Sequence, residues 1–162
     1  MKILSLMHDS IVDGPGLRTV IFFAGCPHAC PGCHNPESWL QANGHEYSFD
    51  ELITIIDNYP MNNITFSGGE PMIQANEILP LATALKLRDK TIWCYTGYTY
   101  EWLKHYGNRE QKELLTFVDV LVDGPFIERL KDSTLLFRGS SNQRLLTLEY
   151  GEISKKNQYA SV

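Results

Sequence analysis

The sequence lacks the features that mark membrane, secreted or nucleic-acid-binding proteins. Its longest apolar runs, such as residues 20–24, are far too short to cross a bilayer, and its first residues carry no signal-peptide h-region. Positive charge is scarce, because 14 Lys and Arg face 19 Asp and Glu, and no long basic run is present. We therefore expect a cytoplasmic protein that binds neither nucleic acid nor a membrane.

Cysteine is also scarce, with four in 162 residues. In a reducing compartment such cysteines are better interpreted as metal ligands or catalytic groups than as disulfides. A chain of this length buries about 70% of its unfolded surface and needs no disulfide to hold a core. We therefore expect one domain over residues 1–162, with a frayed polar tail at 152–162.

Short apolar runs alternate with helical patterns along the chain. Ser48 and Glu51 form a capping box that opens the first predicted helix. Further helices are predicted to begin at Asn76, Thr99 and Glu110. Strands are predicted at 18–24, 63–66, 91–95, 118–122 and 144–148.

Alternation of strands and helices predicts βαβ units and a parallel sheet. A complete eight-stranded barrel takes about 250 residues, so this chain can form only an open sheet or an incomplete barrel. Polar, glycine-rich segments follow four of the predicted strands, at 25–28, 67–71, 96–98 and 123–126. Because parallel strands end at the same edge of a sheet, we expect these four loops to form one site there.

The densest chemical motif is a C-x3-C-x2-C loop formed by Cys26, Cys30 and Cys33. A [4Fe–4S] cluster held by these three thiolates would leave one iron open for a substrate. A zinc site of the three-cysteine, one-histidine kind would use His28 or His34 as its fourth ligand. A redox pair of Cys30 and Cys33 would leave Cys26 unexplained. The spacing favours the open cluster and leaves the other two interpretations open.

The motifs together resemble one enzyme superfamily. The three-cysteine loop resembles the signature of radical S-adenosylmethionine (SAM) enzymes, and the Ser-Gly-Gly-Glu-Pro segment at 67–71 resembles their SAM-binding motif. The segments 13–18 and 33–39 resemble the glycyl-radical-enzyme activases within that superfamily. The segments 93–98 and 138–143 are similar to activating proteins of anaerobic ribonucleoside-triphosphate reductases. The resemblance covers nearly the whole chain.

This resemblance implies a fold, a reaction and partners. The implied fold is an incomplete parallel β/α barrel of about five to six βα units. The implied enzyme is an oxidoreductase that carries a [4Fe–4S] cluster and cleaves SAM reductively. It uses the resulting 5′-deoxyadenosyl radical to take a hydrogen atom from a glycine of the anaerobic (class III) reductase. The implied electron donor is a flavodoxin or another low-potential protein.

The resemblance also implies roles for the cysteine loop. Cys26, Cys30 and Cys33 would hold three irons, and the amino and carboxylate groups of SAM would bind the fourth. The backbone of Gly32, Cys33 and His34 would approach the bound SAM.

The remaining implied roles lie in two other loops. The segment of Ser67, Gly68, Gly69 and Glu70 would contact SAM, since the glycines lack a Cβ and Glu70 adds negative charge near its ammonium group. Asp13 matches the position near the target glycine, although it is also a normal turn residue.

Three further residues carry predictions of their own. We expect His28 to be a surface imidazole and Cys94 to be a small buried hydrophobic residue. Asp123, at a strand end, is a candidate for lining the site. Two alternative functions stay open at this point: an activase of another glycyl radical enzyme such as pyruvate formate-lyase, and a noncatalytic module stabilised by zinc.

Overall fold

A mixed eight-stranded sheet runs through the computed structural model, which describes residues 1–159. The strands are β1 (Lys2–Ser10), β2 (Arg18–Phe23), β3 (His45–Glu46), β4 (Asn63–Gly68), β5 (Ile92–Tyr95), β6 (Val120–Asp123), β7 (Arg144–Glu149) and β8 (Glu152–Ile153). The α-helices are α1 (Phe49–Asp57), α2 (Ala75–Lys86), α3 (Tyr100–Tyr106) and α4 (Arg109–Leu115). Residues 160–162 of the predicted tail lie outside the described residues.

The strand order is β3-β1-β2-β4-β5-β6-β7-β8. Within the described part of the chain, β2, β4, β5 and β6 form a parallel core of four strands. Strands β1, β3, β7 and β8 pair antiparallel at the two edges. The predicted α/β class with parallel strands is therefore confirmed.

The prediction of five to six parallel units is wrong in two places. Strand β1 is not predicted at all, and it pairs antiparallel with β2 across the turn-rich segment 11–17. Strand β7 is predicted but runs antiparallel to β6, with Asp123 opposite Arg144. A parallel return normally needs a crossover helix, whereas the described connection between β6 and β7 has only a short 3-10 turn, Glu128–Leu130.

The helix ends follow local capping chemistry. Ser48 and Glu51 form the predicted capping box at α1, and the Thr99 side chain accepts a hydrogen bond from the backbone of Trp102 at the start of α3. The prediction that Asn76 begins α2 is wrong, because α2 starts at Ala75 directly after the 3-10 turn Pro71–Gln74.

The two faces of the sheet bury different residues, because successive side chains of a strand point to opposite faces. One face carries Phe23, Phe66, Cys94 and Leu121 into the main apolar core, where all four α-helices contribute side chains. On the other face, described strand and loop residues form a smaller cluster around Trp93. The helices therefore pack on one side of the parallel strands and leave the other side for the site.

Arg18 fills the beginning of this second face. It is only 1% exposed, and it donates hydrogen bonds to the Thr65 hydroxyl at 2.7 Å and to the Ile64 carbonyl at 2.5 Å. Its guanidinium lies 5.6 Å from the Trp93 ring centroid, and burial lowers its pKa to about 10.

None of the helices among residues 1–159 is long and apolar enough to cross a membrane.

Candidate active site

A cavity of about 440 Å³ opens at the carboxyl ends of the parallel strands. Its lining includes residues from each of the four predicted loops: Cys26, Ser67, Gly97 and Gly124 are one from each. The prediction that these loops converge on one edge is therefore confirmed. The volume lies in the range of small-molecule sites, about 300–1,000 Å³.

The cysteine loop leaves β2 and passes along the cavity. Cys26, Cys30 and Cys33 are free and partly exposed, and the first two line the cavity. The start of the loop is fixed by backbone hydrogen bonds, from the amide of Gly25 to the carbonyl of Ser38 at 2.7 Å among others. The loop therefore presents thiols to the cavity from a backbone that is tied to the rest of the fold.

Two effects oppose each other at the Cys26 thiol. Burial, together with the nearby charge of Glu70, raises its pKa above the usual value, and backbone hydrogen bonds from His28 and Ala29 offset only part of that rise. Cys94 differs, because it is fully buried on the helix-covered face of the sheet, and burial raises its pKa well above the usual value. The prediction that Cys94 is a small buried hydrophobic residue is confirmed.

Gly68 and Gly69 bring the next loop against the cysteine loop. A Cβ at Gly69 would lie 2.3 Å from the carbonyl oxygen of Gly25, and the amide of Gly69 donates to the Phe23 carbonyl at 2.8 Å. Ser67, Gly68 and Gly69 also line the cavity. The glycines therefore serve a close contact between two loops as well as an approach for a ligand.

The Glu70 carboxylate is fully buried and accepts hydrogen bonds from the protein itself. Its donors are His28 Nε2 at 2.6 Å, the Thr96 hydroxyl at 2.9 Å, and the backbone amides of Gly97 at 2.8 Å and Met72 at 3.0 Å. The carboxylate predicted to face a ligand's ammonium group is thus directed into the structure.

His28 is not the surface imidazole that the sequence predicts. Its side chain is only 17% exposed, and its ring packs edge-on against Tyr98 with centroids 4.5 Å apart. The sequence offers little warning of this contact, because His28 and Glu70 are 42 residues apart.

Asp13 and His34 both reach the cavity. Asp13 is held by two neighbours: the Ser10 hydroxyl donates to its carboxylate at 2.5 Å, and the Thr65 hydroxyl donates to its carbonyl at 2.8 Å. The His34 ring lies 4.9 Å from that of Phe126. Gly32 lies further out on the cysteine loop, where a Cβ would meet the side chain of Glu128.

Asp123 does not take part in the cavity. It follows Val122, which faces the cavity side, so its own side chain points to the helix side of the sheet. There it accepts hydrogen bonds from Arg144 Nη2 at 2.5 Å and from the backbone amide of Tyr100 at 2.7 Å, and the two carboxylates of Asp123 and Glu101 raise the pKa of Arg144. The candidate role of Asp123 in lining the site is therefore wrong.

Several aromatic and polar side chains of the cavity were not singled out individually from the sequence. Tyr95 lines it and donates a hydrogen bond to the Phe137 carbonyl at 2.8 Å, and burial raises the pKa of this phenol. Phe126 and Phe137 add apolar surface, and Arg138 adds a cation that donates to the Gln143 carbonyl. Tyr95 and Arg138 belong to the family-like segments 93–98 and 138–143, and Phe126 ends the predicted loop 123–126. Phe137 has only its place in the long connection to β7 as a signal.

The three cysteines fit an iron–sulfur cluster better than a single metal ion. Among residues 1–159, no group of three or more His, Cys, Asp and Glu side chains is arranged to hold one ion. The cysteines of a cubane bind different irons, so their thiolates surround a body rather than converge on a point. Three free thiols on one loop beside an open cavity suit that arrangement. The Nε2 atom of His28, a candidate zinc ligand, is bonded to Glu70 instead.

Comparison with known proteins assigns the chain first to a class. Residues 12–146 match the model of the 4Fe-4S single cluster domain family, so the fold and the cysteine loop are those of an iron–sulfur protein. The chain is 39% identical to a protein of Vibrio cholerae over 82% of this chain and 89% of that protein. It is 37% identical to a protein of Escherichia coli K12 over 82% and 90%, and 38% identical to one of Enterobacteria phage T4 over 83% and 86%.

All three relatives are named anaerobic ribonucleoside-triphosphate reductase-activating protein. The chain belongs to this family, and the resemblance predicted from its motifs is confirmed. Among solved structures, QueE from Escherichia coli is similar in fold, with a TM-score of 0.50 and 20% identity over 60% of this chain and 52% of that one.

Proposed function

We propose that this chain activates an anaerobic ribonucleoside-triphosphate reductase as a radical SAM oxidoreductase. The observation that carries the proposal is the meeting of the three-cysteine loop and the Gly68–Gly69 loop at one cavity, in a chain whose relatives bear the activating-protein name. Its substrates are SAM and a glycine of the reductase.

Cys26, Cys30 and Cys33 would hold three irons of a [4Fe–4S] cluster and leave the fourth for the amino and carboxylate groups of SAM. When bound and reduced, the cluster would supply the electron that cleaves SAM into methionine and a 5′-deoxyadenosyl radical. Burial raises the pKa of the Cys26 thiol, so the positive charge of bound iron would have to favour the thiolate that metals require.

The cavity offers each part of SAM a matching surface. Backbone carbonyls at Ser67, Gly68 and Gly69 can accept hydrogen bonds from the ammonium group, and the side chains of Phe126 and Phe137 can cover the adenosine. The backbone of Gly32, Cys33 and His34 in the cysteine loop would approach the methionyl end of SAM. Removing water from these surfaces protects a reactive intermediate from side reactions.

We also propose that the sheet is an incomplete barrel with an open side, formed by a single domain. All four α-helices pack on one face of the parallel strands, as they do in a barrel. A glycine-bearing loop of the reductase would enter at the open side and meet Asp13.

The electron would come from a flavodoxin-type or other low-potential donor in the cytoplasm, where thiols stay reduced.

The test compares the four cysteines in protein reconstituted without oxygen. We expect about four irons per chain in the unmodified protein. Cys26→Ala, Cys30→Ala and Cys33→Ala should each lose most of the iron and all formation of 5′-deoxyadenosine. Cys94→Ala is the matched control, since Cys94 lies on the opposite face of the sheet, and it should keep both. Loss of iron in Cys94→Ala with retention in Cys26→Ala would refute the assignment.

A further inference from the structure

One buried carboxylate connects three of the loops that surround the cavity. Glu70 belongs to the loop after β4, and it accepts hydrogen bonds from His28 in the cysteine loop and from Thr96 and Gly97 in the loop after β5. The carboxylate is fully buried, so these bonds replace the water that would otherwise solvate its charge.

The His28 ring occupies a slot that fits it closely. Tyr98 covers one edge of the ring, and Gly97 lies so near that a Cβ there would be 2.3 Å from His28 Cδ2. His28 stands between Cys26 and Cys30 in the sequence, so the position of its ring also fixes the backbone that carries both thiols.

We propose that His28 is a positioning residue, which through Glu70 fixes the cysteine loop onto the SAM-binding loop before either cofactor is present. The inference rests on the proposed function for the identity of the two loops. The cysteines at 26, 30 and 33 and the backbone at 67–69 then form one assembled unit, and the loop after β5 is held to it by Thr96.

The physical gain is in conformational entropy. The cysteine loop has little regular structure between β2 and the short turn Pro36–Trp39, and fixing a free backbone costs conformational entropy. A loop held in place in the unliganded protein does not incur that cost when the cofactors bind, so their affinities rise. A hydrogen bond between a histidine and a buried carboxylate is strong enough to serve, because low local polarity strengthens it.

Two substitutions separate the hydrogen bond from the shape of the ring. His28→Phe keeps an aromatic ring in the slot and removes the donor to Glu70. His28→Gln removes the ring and keeps an amide N–H that can donate to the same carboxylate. If His28 acts through its hydrogen bond to Glu70, His28→Gln keeps the cysteine loop fixed. If the ring only fills space, His28→Phe keeps the loop fixed.

The first measurement needs no cofactor. Hydrogen–deuterium exchange of the reduced, iron-free protein should be about tenfold faster at residues 25–34 in His28→Phe, and within about threefold of the unmodified protein in His28→Gln. Exchange in the core strands β4 and β5 should be unchanged in both, which shows that the fold is intact. His105→Ala, at an exposed histidine of α3, is the control and should leave the loop unchanged.

The second measurement is SAM affinity in reconstituted protein by equilibrium dialysis. We expect the dissociation constant to rise about tenfold in His28→Phe, which corresponds to about 1.4 kcal/mol, and to stay near the original value in His28→Gln. Normal loop exchange in His28→Phe, or failure of His28→Gln to restore it, overturns the inference. Failure of the unmodified protein to bind iron or SAM would instead overturn the proposed function. The exchange result would still test the contact of His28 with Glu70, because it is measured without iron or SAM.

Discussion

Gly69 is a point of close contact between the loop after β4 and the cysteine loop. It has no positive φ, so its need for glycine is purely steric: any Cβ would meet the Gly25 carbonyl one residue before Cys26. A larger residue must therefore displace backbone, and the cysteine loop is the backbone that it displaces.

We predict that Gly69→Ala lowers the free energy of unfolding by about 1–3 kcal/mol, the usual cost of overpacking. The same change should reduce the iron retained on reconstitution, because the Cys26 backbone moves. Gly139→Ala is a suitable comparison, since its Cβ would be 3.1 Å from the Phe126 ring, a side chain that can shift. Urea unfolding followed by circular dichroism measures the free energy of unfolding of the two variants, and iron analysis measures the retained iron. Equal stabilities for the two variants would contradict the steric argument.

At the scale of single residues, the sequence predicts which side chains are chemically important better than it predicts where they point. The spacing of the cysteines predicts a metal loop because three candidate ligands lie within eight residues. The pairing of His28 with Glu70 has no local signal, because it depends on how β2 and β4 are placed side by side. Asp123 was within reach of sequence reasoning: alternation along β6 puts it on the opposite face from Val122.

Among elements, the buried parallel strands were the easiest to predict. Strands β2, β4, β5 and β6 are apolar runs buried on both faces, which is the pattern of a parallel core. Most of strand β1 alternates between partly buried and exposed residues, and its hairpin signal is the turn-rich stretch at 13–16. The direction of β7 depends on the long connection before it, whose lack of a helical pattern is the one clue to an antiparallel return.

Helix α3 is joined to the hairpin of β7 and β8 by the phenol of Tyr100. The hydroxyl donates to the Gly151 carbonyl at 3.1 Å and to the Glu152 carboxylate at 3.0 Å. Burial, with the Glu152 carboxylate beside it, raises the pKa of Tyr100 to about 12. The folded state thus holds this proton more tightly than the unfolded chain does.

The stabilisation from Tyr100 should depend on pH with a definite sign. Because its pKa is raised on folding, the contribution is fully present below pH 10 and is lost as the pH rises through about 12. We expect Tyr100→Phe to be less stable than the unmodified protein by about 1 kcal/mol at pH 8, and the difference to shrink between pH 10 and 12. Urea unfolding at a series of pH values measures it, and a difference that stays constant would show that the phenol makes no such bond.

The whole molecule is a sheet whose two edges do not meet. Over residues 1–159, β3 and β8 are the ends of the strand order, and the helices cover one face. An enzyme that acts on a small molecule can enclose it, but a polypeptide must enter and leave. The open side is therefore suited to a protein substrate.

We predict that a peptide carrying the glycine loop of the reductase is itself a hydrogen-atom donor. With an α-deuterated glycine in that peptide, reconstituted enzyme and SAM, deuterium should appear in 5′-deoxyadenosine, which mass spectrometry detects. The same peptide with the α-deuterium placed on a residue flanking the glycine is the control and should transfer none. Absence of deuterium from 5′-deoxyadenosine with the glycine-labelled peptide, while SAM is still cleaved, would argue against entry of a polypeptide at the open side.

The separation of the apolar core from the cysteine loop has a consequence for how the proposed cluster is assembled and replaced. The main core lies between the sheet and the helices, and the cysteines lie at the opposite, solvent-facing rim. In a zinc finger the metal is the core, so the chain is unfolded without it. Here the main core includes none of the three loop cysteines, so we expect the chain to fold before iron arrives and iron delivery to follow synthesis. If the proposed cluster is lost to oxygen, we therefore expect a folded protein to remain, whose repair needs iron and sulfide rather than a new chain.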